Sequence, residues 1–221
     1  MSLKGKNRNF FSYTNENRIG SNFQFKDFEK TKSYNTNFSK SNFTGVSFRA
    51  AHMKYCNFTN CQFNNVDFVG TNLRGCRFYN AVFSNCIFVG VNLDRAKFTG
   101  AKFEHCYFVH TSLLCLEKQI SNCNDDGIIV LEHYPSSEEY GTELLQAVEE
   151  LRKNDIIRRS NVLHCKKNKI NTLTLKILRE QYSEETLIPM IKVLPEYITT
   201  QFYTISYLKV LLTKISKDIK I

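Results

Sequence analysis

The amino-acid sequence predicts a β-solenoid of four-sided coils followed by a helical region. First, every fifth position from residue 23 to residue 113 holds a large residue except for Ser33, and 14 of the 18 Phe fall in this one phase. Second, the members of the series that are not Phe recur every 20 residues. Third, the five-residue phase stops after Leu113, where apolar residues at helical spacing replace it.

The five-residue period requires a backbone that turns inward once every five residues, because it fits neither the 3.6 residues of a helix nor the two of a strand. A small residue stands two positions before most of the large ones. A narrow coil has room at its axis for one large side chain per side and one small side chain beside it. The small residues include Ser41, Val46, Ala51, Cys56, Cys61, Val66, Thr71, Cys76, Ala81, Cys86 and Cys106.

The 20-residue period defines one coil of four sides. Three of the four classes of inward residue are Phe throughout, and the fourth is mixed. Equivalent residues therefore stack as three Phe ladders and one Leu/Met ladder, in a solenoid whose coils contact only their neighbours. Lys26 in a small position and Ser33 in a large one predict an irregular or bulged first coil near residues 29–34. The mixed class consists of Ser33, Met53, Leu73, Leu93 and Leu113.

Three segments, 71–75, 96–100 and 101–105, resemble the A(D/N)LXX pattern of pentapeptide-repeat proteins. The resemblance implies a right-handed quadrilateral β-helix over residues 21–113. It also implies membership of a family of scaffolds, many of unknown role. The predicted organisation is a basic lead-in at 1–20, the β-helix at 21–113 and a mainly helical domain at 114–221.

The helical domain is predicted from capping signals and apolar spacing. A loop is expected at 122–127 and a short strand at 128–131, and a capping box at Ser136–Glu139 opens a helix. Further helices are predicted at 155–164 and 173–182. Pro189 and Pro195 predict breaks, and a long last helix is predicted from about Glu196.

The formal net charge of +9 lies entirely in residues 1–113, since residues 114–221 carry 15 basic and 15 acidic side chains. No P-loop, dinucleotide-binding or hydrolase motif is present in the sequence. The inward cysteines are interpreted as small buried hydrophobic residues rather than a disulfide or metal set. No catalytic, cofactor or metal site is predicted, and the chain is expected to be non-enzymatic.

The phase also assigns outward positions, and one side shows an apolar stripe. Three occupants remain open for it: the C-terminal region folded back, a second copy of the chain, or a separate partner. The stripe consists of Val69, Ile87, Val89, Tyr107 and Val109.

The side of Phe58, Phe78 and Phe98 shows Arg77 and Lys97, with Lys102 nearby, as candidate phosphate contacts. A solvated face is the favoured interpretation, on the expectation that no aromatic residues interleave these charges as a stacking surface would need.

The sequence favours a non-enzymatic protein-interaction or scaffold module with an unknown protein partner. It is expected to be a cytoplasmic homodimer that does not enter a membrane and takes no cofactor. One alternative comes from a branch of the resembled family that modulates DNA gyrase by imitating duplex DNA. That alternative is disfavoured because the rod is basic. The other alternative is nucleic-acid binding through the basic face.

Overall fold

A computed structural model describes residues 12–117 and 127–219 of the chain. The chain divides into two units, Met1–Glu132 and His133–Ile221. The first unit contains the repeats and the second contains helices.

The first unit is a parallel β-solenoid of about four turns. Paired residues are 20 positions apart throughout, as in the register of Phe63, Phe83 and Phe103. The predicted 20-residue coil and parallel β-solenoid are therefore confirmed.

Each coil has four faces, which we name by the inward residues at their centres. The central residues are Ser33, Met53, Leu73 and Leu93 on face A; Phe38, Phe58, Phe78 and Phe98 on face B; Phe23, Phe43, Phe63, Phe83 and Phe103 on face C; and Phe28, Phe48, Phe68, Phe88 and Phe108 on face D.

Three of the faces contain extended strands of three or four residues. Face B is joined by single parallel bridges, which include the pair Arg77 and Lys97. The strands are β1 (Lys32–Tyr34) and β2 (His52–Lys54) on face A; β3 (Gln62–Asn64), β5 (Val82–Ser84) and β7 (Lys102–Glu104) on face C; and β4 (Asp67–Val69), β6 (Ile87–Val89), β8 (Cys106–Val109) and β9 (Ile128–Leu131) on face D.

The first coils are regular, and the expected bulge near residues 29–34 is wrong. β1 pairs with β2 in the common register, with Ser33 opposite Met53. Coiling already includes residues before 21, because Thr14 bridges Tyr34.

Tyr13 explains how a small residue is tolerated at position 33. Its backbone N–H donates to Ser33 Oγ at 3.3 Å. Its ring packs among the first Phe rings, so the core beside Ser33 is filled by a neighbouring side chain. The rings that Tyr13 contacts are those of Phe23, Phe28 and Phe38.

The Phe ladders fill the interior of the coils. Phe88 and Phe108 stack with ring centroids 4.4 Å apart and planes 1° apart. Phe63 and Phe83 stack at 4.7 Å. Each fully buried ring contributes on the order of 1.5–3 kcal/mol, so the ladders are the main source of stability in this unit.

The small inward residues add hydrogen bonds between coils. Thr71 Oγ1 donates to the carbonyl of Phe48 at 2.8 Å, and Cys61 Sγ donates to the carbonyl of Phe38. The acceptor lies 23 residues earlier in each case, one coil away. This geometry explains why Thr, Ser and Cys share these positions with Ala and Val.

The last residue of most pentapeptides turns the corner with a positive φ, which favours Asn and Gly. The side chain of the corner residue Asn35 donates a hydrogen bond to Asn15, one coil earlier, at 3.0 Å. Asn57, at the second position of its pentapeptide, donates to Asn37 in the same way at 3.0 Å.

Past the last coil, the short helix α1 (Leu114–Glu117) places Leu116 in the core. β9 then pairs with β8 and extends face D, which confirms the predicted strand at 128–131. The loop expected at 122–127 lies outside the described residues except for Gly127.

The second unit contains five α-helices in its described residues. The predicted capping box is confirmed, since Ser136 N–H donates to Glu139 Oε1 at 2.7 Å and Ser136 Oγ accepts from Glu138 N–H at 3.2 Å. It opens a 3₁₀ turn at Ser137–Glu139 that precedes the first of the helices. The helices are α2 (Thr142–Glu150), α3 (Asp155–Ser160), α4 (Thr172–Arg179), α5 (Glu184–Tyr197) and α6 (Ile205–Asp218).

Helix α5 contradicts the predicted breaks, because both Pro189 and Pro195 lie inside it. Its buried face, which includes Leu187 and Met190, outweighs the backbone bonds that proline removes. The last helix begins at Ile205 rather than near Glu196, with the Thr204 side chain accepting from the N–H of Tyr207.

Among the described residues, no helix has the length and apolar character needed to cross a membrane.

Candidate interaction surface

The apolar stripe lies on face D, and four of its five residues are buried. Ile87, Val89, Tyr107 and Val109 are between 0 and 8% exposed, while Val69 is half-buried. The structure therefore brings the five residues into adjacent outward rows but does not leave them as an open face. A partner could reach them only if they were uncovered.

The candidate phosphate contacts are divided between two faces. Arg77 and Lys97 stand opposite each other in successive coils of face B, and both are exposed. Lys102 is also exposed, but it lies on face C in β7, in the same strand as Glu104. The structure thus brings Arg77 and Lys97 together and places Lys102 around the next corner.

The excess positive charge of the coils lies on two adjacent faces. Between residues 12 and 113 there are 12 Lys and Arg against six Asp and Glu. Faces A and B carry eight of these basic residues and two of the acidic ones, whereas faces C and D carry four of each. Faces A and B share the corner that contains Asn35, Tyr55, Gly75 and Arg95.

Tyrosines lie on these two faces, and one of them, Tyr79, stands beside Arg77, where no interleaved aromatic residue was expected. Tyr34 and Tyr55 are 50% and 37% exposed, and their ring centroids are 5.6 Å apart at 71°. Tyr79 is half-buried and shares a pentapeptide of face B with Arg77. The signal was present in the sequence, because the five-residue phase places Tyr34 and Tyr79 in outward positions.

Few carboxylates neutralise faces A and B. Asp94 lies 3.1 Å from Arg74 and 3.8 Å from Arg95, and Glu16 pairs with Arg18. The remaining basic residues of the two faces form no ion pair with any described residue. They are Lys32, Lys40, Lys54, Arg77 and Lys97.

A model of the pentapeptide repeat region family matches residues 56–116. These residues are a pentapeptide repeat region. A search of curated proteins finds no match to the chain.

Several solved structures are similar to this chain at low identity. A pentapeptide repeat protein from the Arabidopsis thaliana thylakoid lumen is 20% identical with a TM-score of 0.42, over 43% of this chain and 67% of that one. HetL, a pentapeptide repeat protein involved in heterocyst differentiation regulation in Nostoc sp. strain PCC 7120, is 20% identical with a TM-score of 0.34, over 45% of this chain and 42% of that one. QnrB1, a plasmid-mediated fluoroquinolone resistance protein, is 16% identical with a TM-score of 0.32, over 56% and 85%.

Two buried thiols of the pentapeptide repeat region, those of Cys61 and Cys76, are poor nucleophiles. Burial raises the pKa of Cys61 to about 12. Burial also raises the pKa of Cys76, and the thiol of Cys56 beside it adds to the effect. The thiolate is the reactive form, so these side chains are inert near neutral pH. The described residues contain no group of three or more His, Cys, Asp or Glu placed to hold a metal ion.

The second unit has an open cavity of about 520 Å³ between α2 and α5. Its lining includes Glu143 and Lys192, which form an ion pair at 3.0 Å. His164 of the same unit is 2% exposed, and burial lowers its pKa. Its Nε2 lies 2.9 Å from the carbonyl of Val148. This hydrogen bond fixes the buried ring inside the unit, so we interpret His164 as a structural residue.

Proposed function

We propose that this protein is a non-enzymatic binding scaffold in which the pentapeptide repeat region recognises a protein partner. One observation supports the proposal: the interior of the coils is filled by stacked rings, such as Phe63 on Phe83 and Phe88 on Phe108. Enzyme sites are concave and enclose their substrates. The polar chemistry of this region lies instead in flat outward rows, which suit contact with a macromolecule.

The test is affinity capture with the full chain as bait, followed by lysine cross-linking and mass spectrometry. Exposed lysines mark different parts of the surface: Lys32 on face A, Lys40 on face B and Lys102 on face C. Partner cross-links to these lysines would support the proposal. Cross-links confined to lysines of the second unit, such as Lys192, would show that recognition lies outside the repeats.

Self-association is part of the proposal, with the end of the solenoid as the contact. Leu114 and Val130 are 71% and 55% exposed there. β9 is the last strand of its sheet among the described residues, and an open strand edge is a template for pairing. We expect a dimer by light scattering that Leu114→Asp with Val130→Asp reduces to a monomer. Val210→Asp is the matched control, because Val210 is 67% exposed in the second unit.

Imitation of duplex DNA at DNA gyrase is not favoured, because the described coils carry 12 basic and six acidic residues. Such mimicry needs a negative rod, and like charges repel at the DNA-binding surface of the enzyme. We expect no effect of the chain on gyrase supercoiling. The cytoplasmic location stays a prediction.

A further inference from the structure

We propose that faces A and B bind single-stranded nucleic acid along their shared corner. This inference goes beyond the protein-binding scaffold and does not rest on it, because it concerns a different class of partner. We call this surface the basic corner. It consists of Lys32, Tyr34, Lys54, Tyr55, Arg77 and Lys97.

Arg77 and Lys97 supply the phosphate contacts on face B. They stand opposite each other on successive coils, which are about 4.8 Å apart in a parallel ladder. Like charges directly opposite each other in a sheet are destabilising. Neither side chain has an ion-pair partner among the described residues. A phosphate placed between them relieves this repulsion.

Lys32 and Lys54 continue the positive charge onto face A. They lie in the paired strands β1 and β2, and Lys54 stands opposite Tyr34 in the register. Lysines and a tyrosine therefore alternate in neighbouring outward positions. A polyanion that crosses from face B to face A meets charge on both sides of the corner.

Tyr34 and Tyr55 supply stacking surfaces between these charges. Their rings are in edge contact, and the two residues are 50% and 37% exposed. The Tyr55 ring is also seated against Gly75, where an added Cβ would lie 2.4 Å from its Cδ1. The ring orientation is thus set by the fold, which reduces the entropy that binding would cost.

This combination fits a single strand better than other polyanions. Aromatic side chains stack on the faces of unpaired bases, and a basic groove follows the backbone. In a duplex the bases are stacked on each other, so their faces are not available to a tyrosine ring and only backbone and groove-edge contacts remain. An acidic polypeptide offers charge but has no base to stack on an exposed tyrosine.

The first test measures the fluorescence anisotropy of labelled single strands as the full chain is added. The strands are about 16 nucleotides long, the upper site size of an OB fold that binds single strands. The comparison ligands are a duplex of the same length and polyglutamate. We expect the single strand to bind at least tenfold more tightly than either. Equal binding of the duplex or of polyglutamate would overturn the proposal.

The second test uses matched charge variants across a salt series. Arg77→Glu should weaken binding and reduce the slope of log K against log salt by about 0.7, the value for one phosphate contact on a single strand. Lys102→Glu makes the same charge change at an exposed site on face C and should leave the slope nearly unchanged. Equal effects of the two variants would show a diffuse charge effect and contradict the assignment to the basic corner.

The third test separates stacking from charge. The double variant Tyr34→Ala, Tyr55→Ala should lose about fivefold or more in affinity with an unchanged salt slope, because only stacking is removed. Tyr34→Phe with Tyr55→Phe should retain wild-type affinity. Thermal unfolding of each variant checks that the fold is intact. Wild-type affinity in the folded alanine variant would overturn the proposal.

Discussion

The ring of Tyr55 lies over Gly75, the corner residue one coil further along the solenoid. A Cβ built on residue 75 would stand 2.4 Å from Tyr55 Cδ1, closer than real contacts allow. Gly75 also has φ +69, in the left-handed region. Glycine is required here for two separate reasons, one of backbone and one of packing.

Gly75→Ala should therefore lower the free energy of unfolding by about 2–5 kcal/mol. The left-handed backbone costs about 1–2 kcal/mol for a residue with a Cβ, and the displaced ring costs about 1–3 kcal/mol more. Urea denaturation measures the loss.

Gly90→Ala is the matched control, because Gly90 has φ +57 and nothing lies within 4 Å of its added Cβ. This variant should lose only the backbone cost of about 1–2 kcal/mol. Equal losses at the two positions would show that the Tyr55 contact contributes nothing.

The inward positions could be predicted from the sequence because packing alone decides them. Each inward site must hold a side chain that fits the axis, so the period of five and the repeat of 20 appear directly in the residue types. The register that pairs Phe63 with Phe83 follows from the same constraint.

The surface could be predicted only in part. The phase places Ile87 and Val89 in outward positions, but it does not specify that they are buried, at 5% and 8% exposed. The contact between Tyr34 and Tyr55 depends on side-chain direction at a corner, which the spacing does not specify. Helix α5 was missed because its apolar face outweighs the signal from Pro189, an outcome that only tertiary packing decides.

Phe83→Ala should cost about 3–5 kcal/mol of unfolding free energy. Phe83 is fully buried and stacks on Phe63 and Phe103, with centroids 4.7 Å away on each side. Its removal leaves a cavity that two neighbouring coils cannot close. Gln62→Ala, an exposed change on the same face, should stay within about 0.5 kcal/mol of wild type. A loss below about 1 kcal/mol for Phe83→Ala would mean that the ladder is not packed as described.

Thr71→Val should cost about 0.5–1.5 kcal/mol, because it keeps the shape of the side chain and removes one hydrogen bond. Thr71 Oγ1 donates to the carbonyl of Phe48, which also accepts the N–H of Ala51 at 2.9 Å. The acceptor keeps one partner, so the loss should fall in this modest range. Differential scanning calorimetry measures it. An unchanged midpoint of thermal unfolding would show that this hydrogen bond between coils makes no net contribution to stability.

The pKa of Cys61 predicts a loss of stability in alkaline solution. Burial raises this pKa from 9.0 to about 12. Because the pKa is higher in the folded state, the contribution of Cys61 to the free energy of unfolding is complete below pH 9.0 and is lost as the pH rises toward about 12. The unfolding free energy should fall by about 1.4 kcal/mol more between pH 8 and pH 10 in wild type than in Cys61→Ala, where this thiol cannot ionise. Parallel pH profiles for the two proteins would show that the Cys61 thiol titrates equally in the folded and unfolded states. That result would contradict the pKa shift expected from its complete burial.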